Sequence, residues 1–450
     1  MMATQIAKEN KYAAAFRAQR EQRSTSGSAS SSWIERLRES AFASFEQLGF
    51  PTTAHEEWKY TNVAPLTKID FEPTSLRPAT SSLTAAQVQA FSYAEADGSR
   101  LVFVNGIYNA QLSSLEKLPQ GVVAMDLADA LSGEHEAVVS EQLARGADYN
   151  ADAFTALNTA FMSSGALLLI PKGVRVETPV HLLFLSDSQD QQSVSFPRVL
   201  IVSEQGSEAT VIESYASAGE GVYWTNAVVE VVLAENARLE LYKVQDESAS
   251  AFHIATTAVD LKRNSHFGMT TITLGARLSR HGISVALAGD AAECRVDGLY
   301  LVTDNQHADT HSLIDHREPH GTSKQLYKGI LDGKSRAVFN GKVFVHRDAQ
   351  QTDATQTNKN LLLSNEARVD TKPQLEIFAD DVKCAHGAAI GQLDEEELFY
   401  LASRGMHPDL ARNLLTYGFA EEVIDKIKIE SIKAQLDEAV LNRLHAKLEA

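Results

Sequence analysis

The sharpest chemistry in this sequence lies in Asp380-Asp381-Val382-Lys383-Cys384-Ala385-His386-Gly387, where a thiol and an imidazole stand two positions apart. On an extended strand, residues i and i+2 project to the same side, so Cys384 and His386 would sit next to each other. Those donors suit iron or an iron–sulfur cluster. A structural cysteine beside an ordinary histidine fits the same spacing. Two ligands are too few to close a cluster, so a metal held here requires ligands from another chain. Cys294, the other cysteine, alternates with Val296 and reads as core.

A second cluster is His307-Ala308-Asp309-Thr310-His311, followed by His316 and His320. In a strand His307, Asp309 and His311 share a face, which could chelate a divalent ion or form a hydrogen-bonded polar surface. Gly329-Ile330-Leu331-Asp332-Gly333-Lys334-Ser335 resembles a phosphate-binding loop but has three residues between its glycines instead of four. It also leads into the strand pattern Ala337-Val338-Phe339, where such a loop needs a helix N-terminus. No G-x-S-x-G, H-E-x-x-H or C-x-x-C occurs, which removes the usual footholds of nucleophilic and zinc hydrolysis.

The chain that must position these residues is 450 long, with 41 Lys and Arg against 59 Asp and Glu, a formal charge of −18. That balance argues against nucleic acid as the main partner, since phosphate backbones are bound by clustered cations. Two cysteines exclude a disulfide framework, and no stretch approaches the roughly 18 consecutive apolar residues of a membrane helix. The expectation is a cytoplasmic protein. Lys8, Lys11, Arg17, Arg20 and Arg23 with a Ser-rich tail also loosely resemble an organelle transit peptide.

Residues 1–32, rich in Ala, Gln and Ser, read as a disordered arm. Ser32 and Glu35 have capping-box spacing, and Trp33, Leu37, Ala41, Phe45 and Leu48 predict an amphipathic helix opening a mostly helical region, 33–160. Over 161–392 short β-branched runs each follow a polar pair and a small residue, as at Ala209, Ala237, Ser265, Ala291, Ala337 and Ala367. Most of these markers recur at about 26 to 30 residues, which predicts a β-helix or related β-solenoid. The step from Ala291 to Ala337 is about one and a half periods, so one turn is expected to carry an insertion holding the histidines. Residues 393–450 turn helical: Asp394 with Glu397 forms an N-cap pair, Gly405 ends a turn, and Pro408 suits a first helical position. Ile432, Leu436, Val440, Leu444 and Leu448 make an apolar stripe suited either to the chain's own core or to a partner.

Several longer stretches are more specific. Leu331 to Gly341, Thr352 to Leu363, Val369 to Ile377, Ala379 to Gly387 and Phe399 to Gly405 closely resemble the SufB/SufD family of the SUF iron–sulfur cluster assembly system, as does His55-Glu56-Glu57-Trp58-Lys59-Tyr60-Thr61. With two cysteines and Gly387 after His386, the chain is more similar to the D-type branch than to the B-type scaffold. The resemblance implies a right-handed parallel β-helix with helical N- and C-terminal regions and no turnover of its own. It implies pairing with a SufB-type subunit, docking of a SufC-type ABC ATPase, and a transient cluster or iron shared with the B-type subunit. His386, with Cys384, matches the family's metal-relevant positions. Leu414, Leu415, Tyr417, Gly418, Phe419 and Val423 fall in the stretch that binds the ATPase in relatives. A homodimer of the isolated chain and a reduced flavin in the complex are compatible with the resemblance and not required by it.

Two other classes fit parts of the sequence. A carbohydrate-active β-helix enzyme would need paired carboxylates, and Asp380 and Asp381, adjacent on a strand, would face opposite sides. A structural adaptor without metal contact would need neither Cys384 nor His386.

Overall fold

The computed structural model describes residues 2–25, 31–77, 83–187 and 192–445. Seventeen principal strands carry the architecture among the described residues. They are β1 (Arg100–Val104), β2 (Gly165–Ile170), β3 (Val180–Ser186), β4 (Arg198–Ser203), β5 (Glu208–Ser217), β6 (Trp224–Leu233), β7 (Arg238–Asp246), β8 (Phe252–Leu261) and β9 (His266–Thr273), then β10 (Leu278–Leu287), β11 (Glu293–Val302), β12 (His307–His316), β13 (Thr322–Leu331), β14 (Arg336–Val345), β15 (Thr352–Leu362), β16 (Arg368–Ile377) and β17 (Val382–Gly391). Odd strands stack in one sheet and even strands in the other. Each pairs in parallel with the strand one turn on, as Trp224 with Phe252 and Phe252 with Leu278. The chain is therefore a flattened parallel β-solenoid with two strands per turn.

The sequence markers fall on turns that need unusual backbone. Asn236, Asn264, Ala291 and Gly333 all have φ between 53° and 62°, a region that asparagine and glycine enter at low cost. Asn264 also donates to Asn236 across one turn at 2.6 Å. The markers through Ala291 precede or open odd strands, whereas those at Ala337 and Ala367 precede or open even ones. The irregular step between them is thus a half-turn change of sheet. The expected insertion does not exist, and the histidine stretch is the regular strand β12.

Alternation buries one side of every strand between the sheets. Ala209, Leu239, Phe267, Cys294, Ser323 and Ala354 form one in-register interior row that continues to Cys384. Cys294 is core, as expected, and burial pushes its thiol up to about 12. Two interior tyrosines lie across glycines. A Cβ on Gly298 would collide with the Tyr327 ring, and one on Gly329 would collide with Tyr300.

Ile107–Tyr108 and Val123–Asp126 pair antiparallel with β1 and β2 and cover the first end of this stack, and the N-terminal helices pack alongside it, against Trp224, Phe252 and Leu278 at the starts of β6, β8 and β10. Helices α1 (Met2–Thr25), α2 (Ser32–Leu48) and α3 (Ala153–Phe161) join through an aromatic cluster in which Phe16 stacks on Phe42 at 4.5 Å and Tyr12 meets Phe45, Phe50 and Phe161. The expected disordered arm is therefore a packed helix, because Tyr12 and Phe16, one turn apart, supply an apolar face that average composition hides. Residues 26–30 of its Ser-rich end lie outside the described residues, as does Leu448. The capping box is also absent. Ser31 holds the N-cap position, and Glu35 pairs with Arg23 and Arg38. The buried face of α2 runs through Ile34, Arg38, Ala41, Phe42 and Phe45, and Leu48 is exposed. The buried Arg198–Glu230 pair, 2.6 Å apart, ties this region to the solenoid, with Glu230 accepting from the amides of Ala144, Gly146 and Ala147. Among the described residues no helix is long and apolar enough to cross a membrane.

Gly298→Ala forces Tyr327 out of its slot and should cost about 1–3 kcal/mol by overpacking. Urea unfolding should show a lower midpoint at unchanged slope. A midpoint equal to that of the wild type would mean the tyrosine layer is loose.

Candidate functional site at the open end

The other end of the solenoid is uncovered. Strand β16 pairs only with β14, and β17 only with β15, among the described residues. Their outer edges therefore carry unpaired backbone donors and acceptors, an arrangement that invites a further strand. Ile377, Phe378 and Ile390 are exposed here, Phe378 at 59%.

Register places the sequence-derived pair on this last turn. Cys384 lies over Ala354 and His386 over Gln356. Ala354 and Gln356 are both buried on the interior side of β15, so Cys384 and His386 face the same way, over the uncovered end of the core. Cys384 is half-buried against that core, and His386 is exposed. Burial raises the Cys384 thiol above its ordinary value, Asp353 adds to the rise, and a backbone hydrogen bond to Ala354 partly offsets it. The thiol is thus protonated at neutral pH, and a metal would have to displace its proton. No group of three or more His, Cys, Asp or Glu among the described residues could hold a metal ion. Asp380 and Asp381 lie in the bend before β17.

Polar side chains line the interior beneath this pair. Gln356 donates to Gln325 at 2.7 Å, and Gln325 to Ser312 at 2.8 Å. Asn360 donates to Asn358 at 2.6 Å, Tyr300 donates to Asn360, and Thr271 donates to Tyr327 at 3.0 Å. Deeper in the solenoid Lys243 and Glu213 pair at 2.8 Å, and His253 lies 2.7 Å from Glu247. The spacing of the turn markers does not reveal this lane. Its signal is the alternation Gln356, Asn358, Asn360, where polar residues occupy the inward phase.

The second histidine cluster has a structural occupant. His307, Asp309 and His311 do share the outer face of β12, but the segment His55 to Thr61 is latched onto them. Arg280 pairs with Asp309, stacks on Trp58 at 3.8 Å and donates to the Glu57 carbonyl. Thr61 donates to Asp309 at 2.5 Å and lies 3.0 Å from His307. His311 bridges Asp309 at 3.1 Å and Glu57 at 3.2 Å, while Glu56 pairs with Lys372 on β16. His316 points inward to Ser323, and His320 pairs with Asp290 elsewhere on the surface.

The C-terminal helices are α4 (Glu395–Ser403), α5 (Pro408–Ile424) and α6 (Glu430–His445). Asp394 caps α4 and Pro408 opens α5, as expected. Ile424, Ile427, Ile432, Leu436 and Val440 are buried against Tyr242, Val244, Ile272 and Leu299 on the outer face of the odd sheet. The expected docking residues divide. Val423 is fully buried in that contact, Tyr417 and Phe419 are half-buried, with Tyr417 donating to Asp437, and Leu415 is intermediate. Leu414 and Gly418 face outward. Each buried aliphatic side chain is worth about 1.5–3 kcal/mol, so peeling this face off to serve a partner is prohibitive. On α4 and α5 the exposed apolar surface is Phe399, Tyr400, Leu410 and Leu414, and α4 buries none of its residues.

Burial alone would lower the His311 pKa, but Asp309 and Glu57 outweigh it and raise the pKa above 6.5. The His311 contribution is therefore complete below pH 6.5 and lost as pH rises through the raised value. Between pH 6.5 and about pH 9 the wild type should lose more thermal stability than His311→Gln. Parallel melting curves for the two proteins across that range would remove His311 from the latch.

Comparison with known proteins agrees with this geometry. Residues 184–419 match the family model described as SUF system FeS cluster assembly, SufBD core domain, and residues 6–182 match the SufBD protein N-terminal region. An iron–sulfur cluster assembly SufBD family protein of Synechocystis is 36% identical over 433 residues, 94% of each chain. SufD of Escherichia coli is 32% identical over 398 residues, 88% of this chain and 90% of the relative. SufD of Bacillus subtilis is 30% identical over 417 residues, 90% of this chain and 92% of the relative. With both its solenoid and its N-terminal region matched, the chain belongs to the SufBD family.

Proposed function

We propose that this chain is a cytoplasmic D-type subunit of SUF iron–sulfur cluster assembly, acting without turnover of its own. The observation that carries the reading is the uncapped last turn, where Cys384 and His386 stand beside each other on an edge with no further strand among the described residues. A B-type scaffold subunit would pair with β16 and β17, cover Phe378 and Ile390, and supply the ligands that two residues cannot. The nascent cluster is cargo held between the subunits. The names of the E. coli and B. subtilis relatives support the same role.

The exposed face of Phe399, Tyr400, Leu410 and Leu414 is the surface offered to an ABC-type ATPase. Nucleotide-driven approach of two ATPase subunits would then pull on the helical regions and shear the paired edges, opening the ligands to iron and sulfur. Because α5 and α6 are packed on the odd sheet, a pull on them is transmitted to the solenoid as a rigid body.

Co-expression of the three components tests this in one preparation. Cys384→Ala with His386→Ala should leave both partners bound and lower the iron and sulfide content of the complex. Phe399→Glu should weaken ATPase retention by about tenfold or more and leave pairing with the B-type subunit intact. Unchanged iron and sulfide would refute the ligand roles, and unchanged ATPase retention would refute the docking face.

A further inference from the structure

On the outer face of the even sheet, charged neighbours one turn apart can pair with opposite sign. Lys342 pairs with Glu376 at 2.9 Å, and Lys334, in the turn before β14, pairs with Glu366 at 3.6 Å. One row departs from this pattern. His307, Arg336 and Arg368 are in register on β12, β14 and β16, and Arg277 immediately precedes β10 at the same end. Strands lie about 4.8 Å apart, and like charges directly opposite are destabilising. Among the described residues no ion pair involves Arg277, Arg336 or Arg368, all three exposed, in a chain of net charge −18.

Arg277 and Arg336 flank a groove of about 590 Å³ between this face and the N-terminal region, lined also by Tyr60, Pro65 and His307. The Arg277 guanidinium lies 5.8 Å from the centre of the Phe252 ring. Asp304 sits at the rim, where Thr303 donates to it at 3.1 Å. Burial lowers the His307 pKa, Asp309 and Asp370 oppose that shift, and Arg336 and Arg280 add to it.

We propose that this groove binds a small phosphate-bearing anion, held by Arg277 and Arg336. Guanidinium forks match phosphate oxygens in pairs. The groove is in the size range of small-molecule sites, with room beside the exposed Tyr60 for a ring attached to the phosphate. The site stands apart from Cys384 and His386 and does not depend on their role.

Calorimetric titration of the full chain with pyrophosphate and with adenosine diphosphate, at constant ionic strength, tests it. Pyrophosphate should bind saturably at one site, weaken by about tenfold in Arg336→Gln and in Arg277→Gln, and be unaffected by the distant Arg347→Gln. Arg336→Gln relieves the repulsion from Arg368, so it should melt no lower than the wild type, which separates lost binding from misfolding. Tighter binding of the nucleoside diphosphate, with the gain lost in Tyr60→Ala, assigns an organic phosphate, whereas equal affinity assigns the inorganic anion. Absence of saturable binding of either probe at millimolar concentration, or unchanged affinity in the arginine variants, overturns the proposal.

Discussion

Every turn of a parallel solenoid obtains its backbone partners from the turns on either side, so the two ends decide how the chain meets its surroundings. Here the ends are treated unequally. The segments Ile107–Tyr108 and Val123–Asp126 pair antiparallel with the first strands and cover the core there with Leu115, Leu118 and Val122, while among the described residues β16 and β17 end the stack with unpaired edges and exposed apolar side chains. An uncovered edge of that kind is a liability unless something covers it. The two residues with metal-binding chemistry occupy this turn, and under the proposed function the liability becomes a shared site.

The C-terminal helices follow from a different balance. Their apolar stripe reads equally well as partner surface or core, and burial against the odd sheet decides for core along Ile424 to Val440. What remains exposed is shifted toward α4 and the start of α5. The proposed ATPase face therefore begins on α4, which follows β17 closely in the chain, and continues onto α5, whose opposite face is packed on the odd sheet.

The parallel solenoid was legible because its turns require asparagine, glycine or small residues at a fixed spacing, and the Cys384/His386 pairing because strand alternation is a strict rule. Three features were hidden for physical reasons. The inner polar lane departs from the usual apolar interior of a strand at Lys243, Glu213 and Gln356, which pair or hydrogen-bond with one another or with Gln325. Helix α1 depends on contacts of Tyr12 and Phe16 with residues far along the chain. The His307 to His311 cluster looks like a chelating face until Glu57 and Thr61 arrive from the N-terminal region. Periodicity also misled once, since it does not say which sheet a marker belongs to.

The most direct measurement of the central claim is amide hydrogen exchange across 382–391, comparing the chain alone, dilute enough to be monomeric, with its complex with the B-type subunit. The outward-pointing amides of β17 should exchange rapidly in the monomer and become strongly protected in the complex, while β13 stays protected in both. Equal exchange in β17 with and without the partner would contradict an interface at the open turn.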